Sequence, residues 1–132
     1  MSQTRFDEWM RHLTFDYWST GQHKIDADAF MKKWAAGKAV LLDVRDEREA
    51  EFVALPFALH IPIDQLPDRM DEIPRDKLVA TFCSGGDRAN VAFAYLHAHG
   101  FDNVRIIRAG YTNLFQALMP GAIRALKQNQ GR

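Results

Sequence analysis

The stretch Val79-Ala80-Thr81-Phe82-Cys83-Ser84-Gly85-Gly86-Asp87-Arg88-Ala89 leaves the chain few ways to fold. It opens as a strand-type run, and two glycines then free the backbone to turn sharply. Ala89 to Leu96 has helical character, with Gly100 placed to end the helix. A strand, a tight loop and a helix N-terminus in succession make an anion cradle. Loop N–H groups converge on one point there, and the helix dipole adds partial positive charge. The chain's one cysteine, Cys83, stands at the mouth of that cradle. A thiol so placed is favoured as the thiolate, the nucleophilic form. The plainer reading is a cysteine buried at a strand end for packing alone. It leaves Gly85-Gly86 and Arg88 without a reason.

The remaining pattern alternates strands with helices. Lys24-Ile25 is a short edge strand, and Asp26 is placed to cap a helix through Ala36 with Ala27, Phe30, Met31 and Trp34 apolar. Ala39 to Val44 is almost continuously apolar, as a parallel strand covered on both faces must be. Asp46 to Phe52 predicts a short charged helix packing through Phe52. Ala58 to Ile61 predicts a strand ended by Pro62. Asp64 to Met70 predicts a brief helix that Pro67 must start or deform. Val104 to Ile107 is a strand and Thr112 to Met119 a helix stopping at Pro120-Gly121. Ala122 to Lys127 is a last helical stretch before a polar tail. Strands separated by helices imply a single α/β domain with a parallel sheet, whose sites form outside the carboxyl ends of the strands. Cys83 falls there.

Four motifs in one order give the chain a resemblance. They are Leu41-Leu42-Asp43-Val44-Arg45, the segment Val53 to Pro62, the loop Cys83-x4-Arg88, and Gly100-Phe101-Asp102-Asn103-Val104 with Arg108-Ala109-Gly110-Tyr111. In order and spacing they resemble the rhodanese family of sulfurtransferases over roughly residues 24 to 118. The resemblance implies a five-stranded parallel sheet flanked by helices on both faces. It divides the chain into an N-terminal helical extension (1–22), the domain (23–119) and a short helical tail (120–132). Two positions depart from the family pattern. Ala54 stands where histidine is usual, and Leu114 stands near the usual tryptophan. Both are scaffold positions.

The activity so implied is transfer of a sulfane sulfur from thiosulfate or a persulfide donor to an external acceptor. Cys83 would carry the sulfur as a persulfide, held by the N–H groups of Ser84, Gly85, Gly86, Asp87 and Arg88. Arg88 is expected to tie the loop down, with Asp43 as one partner. Asp43 and Arg45 support the site. Arg48 could reach the substrate entrance, by analogy with basic residues that contact thiosulfate in the family. Asp87 is the only charge among the variable loop positions, and its sign opposes a dianionic donor, unless the carboxylate serves the helix N-terminus instead. With no second cysteine, no resolving step can occur within the chain. The acceptor is then cyanide, a small thiol or a sulfur-carrier protein. A non-enzymatic binding or sulfur-relay module is the main alternative. A phosphatase or arsenate reductase fits less well, because those relatives use Cys-x5-Arg followed by Ser or Thr, and here Ala89 follows a shorter loop.

Bulk properties narrow the partners. Seventeen basic and seventeen acidic side chains cancel, which gives no support to nucleic-acid or anionic-membrane binding. At 132 residues with 47% hydrophobic content, the chain fits one packed domain. A single cysteine, no membrane-length apolar run and no signal-peptide core suit a reducing cytoplasm. No motif requires a cofactor, and His60, His97 and His99 have no metal-ligand grouping. Phe6, Trp9, Met10 and Leu13 recur at helical spacing, followed by Phe15, Tyr17 and Trp18. This stripe reads first as a helix covering the domain's own core. The sharper reading is a docking surface for a partner or for a second copy in a homodimer.

Overall fold

The computed structural model describes residues 3–130. Five strands, β1 (Lys24–Ile25), β2 (Ala39–Asp43), β3 (Leu59–His60), β4 (Leu78–Phe82) and β5 (Val104–Ile107), form one parallel sheet in the order β1-β5-β4-β2-β3. Every pairing is parallel; Leu41, for example, lies beside Ala80, and Val79 beside Val104. The two central strands, β2 and β4, are buried almost throughout, as their apolar runs require.

Alternation along each strand divides the interior into two cores. On one face Leu42, Val44, Val79 and Cys83 meet Ala89, Phe93 and Leu96 of helix α5 (Asp87–Ala98). On the other, Leu41, Ala80 and Phe82 meet Phe30 and Met31 of α3 (Ala27–Ala35), and Leu114 and Ala117 of α6 (Gly110–Ala117). Helices therefore cover both faces. Among the described residues no helix is long and apolar enough to cross a membrane.

Several sequence expectations shift. Helix α5 begins at Asp87 and α6 at Gly110, each two residues earlier than the apolar pattern predicts, because both start directly from a loop at the sheet's carboxyl edge. Phe52 closes α4 (Glu47–Phe52) but is 90% exposed, so that helix does not pack through it. Its start is instead secured by a capping box between Asp46 and Glu49. Pro67 lies inside a 3-10 segment, Ile63–Asp68, where no α-helix forms. Asp26 precedes α3 without a side-chain cap and pairs with Arg108 at 2.7 Å. Pro120 opens α7 (Pro120–Gln130) rather than ending a helix, consistent with proline's fit to a first turn. Leu126 of α7 packs against the second core. The end of the expected polar tail, 131–132, lies outside the described residues, as do residues 1 and 2 of the N-terminal extension.

Helix α1 (Gln3–Arg11) lies against α5. The Trp9 ring stacks on His97, with centroids 5.2 Å apart and planes 11° apart, and meets the edge of Phe93 at 5.9 Å. Met10, which the helical spacing places on the packed stripe, is exposed. So are Phe15 and Trp18 of α2 (Phe15–Ser19).

Candidate active site

β4 delivers Cys83 to the carboxyl edge of the sheet, and Ser84-Gly85-Gly86 then turns the chain into α5. Gly86 makes that turn with φ +149°, in a region that side chains avoid. Cys83 is only 2% exposed, and its Sγ accepts the Ala89 N–H at 3.3 Å. Among the described residues, no protein acceptor takes the N–H groups of Ser84, Gly85, Gly86, Asp87 or Arg88. The first turn of α5 thus presents its free donors beside a buried sulfur, the arrangement that stabilises negative charge there.

A second loop holds this one from below. Ala109 and Gly110 both have positive φ, +58° and +50°, and bring the start of α6 against the cysteine loop. The Tyr111 N–H donates to the Ser84 carbonyl at 3.1 Å. A Cβ added at Gly110 would overlap the Ser84 carbonyl oxygen and lie 2.7 Å from its carbon. Only glycine permits this approach.

Two arginines, Arg45 and Arg88, are built into the site, and Arg48 lies on α4 outside it; each is matched to a carboxylate. Arg45 is fully buried and grips Asp43 in a fork, Nε to Oδ1 at 2.8 Å and Nη2 to Oδ2 at 2.7 Å. Its third donor, Nη1, reaches the Tyr111 hydroxyl at 3.0 Å, and its carbonyl contacts His60 Nε2 at 2.8 Å. Burial pulls the Arg45 pKa down, but hydrogen bonds to Asp43 and Tyr111 outweigh it and leave the group held more firmly charged than usual. Arg88 donates through Nη1 and Nη2 to both oxygens of Glu49, the second at 2.9 Å, and through Nη2 to Ser84 Oγ at 3.1 Å. Arg48 is 87% exposed and turns onto Asp46 at 2.8 Å. No contact joins Arg48 to the cysteine loop among the described residues.

The partner expected for Arg88 is therefore corrected. Asp43 is occupied by Arg45, and Glu49 takes Arg88 instead. The Arg88 guanidinium, chiefly through its hydrogen bond, holds the Glu49 carboxyl down at about 2. Glu49 in turn keeps Arg88 charged, and nearness to Cys83 adds to this. Asp87, the first residue of α5, is exposed.

The family model for the rhodanese-like domain matches residues 26–117. The chain belongs to the rhodanese-like family. A sulfurtransferase of Allochromatium vinosum is 36% identical over 89 residues, which make up 67% of this chain and 83% of that protein. A tRNA uridine(34) hydroxylase of Xanthomonas campestris is 30% identical over 103 residues, 68% of this chain but only 41% of that protein. The crystal structure of a rhodanese-related protein from Thermoplasma volcanium superposes with a TM-score of 0.64 at 26% identity, covering 74% of this chain and 95% of that one. The rhodanese-like fold with its five-stranded parallel sheet, expected from the four motifs, is thus the fold found.

Glu49, Gly110, Tyr111 and His60 join the site without having been singled out from the sequence. Glu49 carried a readable signal, since Asp46-x-x-Glu49 is the capping-box spacing. Tyr111 and Gly110 carried none beyond the motif itself.

Proposed function

We propose that this chain is a sulfurtransferase that carries sulfur as a persulfide on Cys83. The thiolate attacks the sulfane sulfur of a donor R–S–SH, forming Cys83–S–SH and releasing R–S⁻. With thiosulfate the new S–S bond forms as the S–SO₃ bond breaks, and the electron pair leaves with sulfite. An external thiol, cyanide or a sulfur-carrier protein then takes the terminal sulfur and restores the thiolate. The observation that carries this reading is the Ala89 N–H at 3.3 Å from Sγ, beside five loop N–H groups that lack protein acceptors. Such donors serve the thiolate and the persulfide alike.

In this reading Ser84 to Arg88 bind the transferred sulfur through the backbone, and Asp43 and Arg45 hold the loop's floor. Arg48 would serve only as an outlying basic contact for an entering substrate, after release from Asp46. The family portion, 23–119, does the chemistry, with the extension before it (1–22) docked through α1 and the tail after it (120–132) carrying α7. A reducing cytoplasm suits the chemistry of a lone thiolate.

Intact mass after brief exposure to thiosulfate, and separately to cysteine persulfide, tests the proposal. One added sulfur is expected, absent in Cys83→Ser, and lost again when cyanide or a thiol is supplied. Full sulfur turnover by Cys83→Ser would overturn the catalytic reading. Loading without release to any acceptor would favour a binding or relay module. Turnover of an aryl phosphate, lost in Cys83→Ser, would move the chain to the phosphatases.

A further inference from the structure

The charges around Cys83 do not suit a dianion. Each arginine the sequence offered to the site is neutralised by its own carboxylate: Arg45 by Asp43, Arg88 by Glu49 and the more distant, exposed Arg48 by Asp46. Both oxygens of Glu49 are engaged by Arg88, so the charge of that guanidinium is already matched by a carboxylate. Asp87 makes no ion pair among the described residues and stands exposed at the first turn of α5, four residues on from Cys83. The three pairs cancel, and the Asp87 carboxylate remains unmatched on the helix turn that directly follows the cysteine loop.

The donors at the sulfur are the Ala89 N–H, with the unaccepted N–H groups of the loop beside it, and the Arg88 guanidinium, whose charge Glu49 already matches. They solvate one anionic atom well, which is what a persulfide sulfur offers. A sulfonate brings three further oxygens and a second charge, and no unmatched cation waits for them.

We infer that the donor for Cys83 is a thiol-borne persulfide of low charge, that thiosulfate is a poor donor, and that the Asp87 carboxylate sets this preference. The inference rests on the sulfur-transfer reading above. Cys83–S⁻ takes the outer sulfur of R–S–SH, and R–S⁻ leaves with the bonding pair, so only a thiolate must depart past Asp87. With thiosulfate, a doubly charged molecule must enter and a sulfite dianion must leave. Repulsion of a dianion by one carboxylate several ångströms away, in a partly aqueous setting, raises KM on the order of several-fold. Salt weakens it, because the Debye length at physiological ionic strength is about 8 Å.

The test compares KM and kcat for sulfur loading from thiosulfate and from cysteine persulfide, at low and high salt. The proteins are the wild type, Asp87→Asn, Asp87→Lys and Asp87→Glu, each with its melting temperature measured. In the wild type, thiosulfate should show a KM at least about tenfold above that of cysteine persulfide, from repulsion and the missing cation together. Asp87→Asn should lower the thiosulfate KM several-fold and Asp87→Lys should lower it further. Asp87→Glu should keep the wild-type value, and the spread should narrow at high salt. A change in loop packing alone would not order the variants by charge. A thiosulfate KM equal across the four proteins, or no higher than that for cysteine persulfide in the wild type, overturns the inference while leaving sulfur transfer standing. A protein that takes sulfur from neither donor overturns the sulfur-transfer reading itself, and this inference with it.

Discussion

Glu49 accepts hydrogen bonds from both the Asp46 N–H and the Arg88 guanidinium, so one carboxylate caps α4 and fastens the loop that carries Cys83. The two tasks can be separated. Glutamine at position 49 still serves a capping box, but it cannot neutralise Arg88. Glu49→Gln should therefore lower stability by about 1 kcal/mol, the low end for a charge-assisted bond, because both partners are roughly one-third exposed.

The pH dependence follows from the same pair. The folded Glu49 titrates near 2, below the 4.5 of a free glutamate. The unfolded chain thus binds the extra proton between these values. The stabilisation is present in full above about 4.5 and is lost as pH falls from there towards 2. Urea midpoints from pH 6 to pH 2 should fall less steeply for Glu49→Gln than for the wild type. Parallel curves would show that the clasp contributes nothing to folding.

Gly110 and Gly85 offer a contrast between two glycines near one cysteine. At Gly110, φ is +50° and an added Cβ would overlap the Ser84 carbonyl. At Gly85, nothing lies within 4 Å of an added Cβ. Gly110→Ala should cost about 2–4 kcal/mol, from left-handed strain plus forced movement of the cysteine loop. It should also change the alkylation rate of Cys83. Gly85→Ala should leave stability within about 1 kcal/mol of the wild type. Similar melting temperatures for the two variants would rule out the buttress.

The sequence made the frame of this molecule readable because its strongest signals are local. The apolar run at 39–44 could only be a doubly covered strand, and the turn at Gly85-Gly86 could only lead into a helix. What stayed hidden depends on which residues meet through the fold. Arg88 and Glu49 are 39 residues apart, and Arg45 meets the Tyr111 hydroxyl across 66. Nothing in the spacing tells Arg88 to choose Glu49 over Asp43, since Asp43 ends β2 and Glu49 follows it closely. The choice is settled when Arg45 folds back on Asp43 two residues earlier and fills it. Phe52 failed for the opposite reason. An aromatic at the end of a short helix looks like a core anchor, but α4 is held by its cap and by Arg88, and has no buried face.

The N-terminal aromatics divide into a packed and an exposed set, which makes the two readings of that segment separable. Trp9 stacks on His97 and meets Phe93, whereas Phe15 is 83% exposed. Burial lowers the His97 pKa, so the ring beneath Trp9 is held neutral and the contact is apolar stacking. Trp9→Ala removes that stack from a partly buried site. Its cost should be about 2–3 kcal/mol, below the full range for a core aromatic. Phe15→Ala should change stability by no more than about 0.5 kcal/mol, as exposed positions do. Unfolding midpoints and the solution mass of both variants decide between an internal cover and a docking surface. A stable, unchanged Trp9→Ala protein whose mass falls from dimer to monomer would show that α1 exists to bind a second copy. A dimer lost in Phe15→Ala alone would assign the interface to α2 and leave Trp9 to the core.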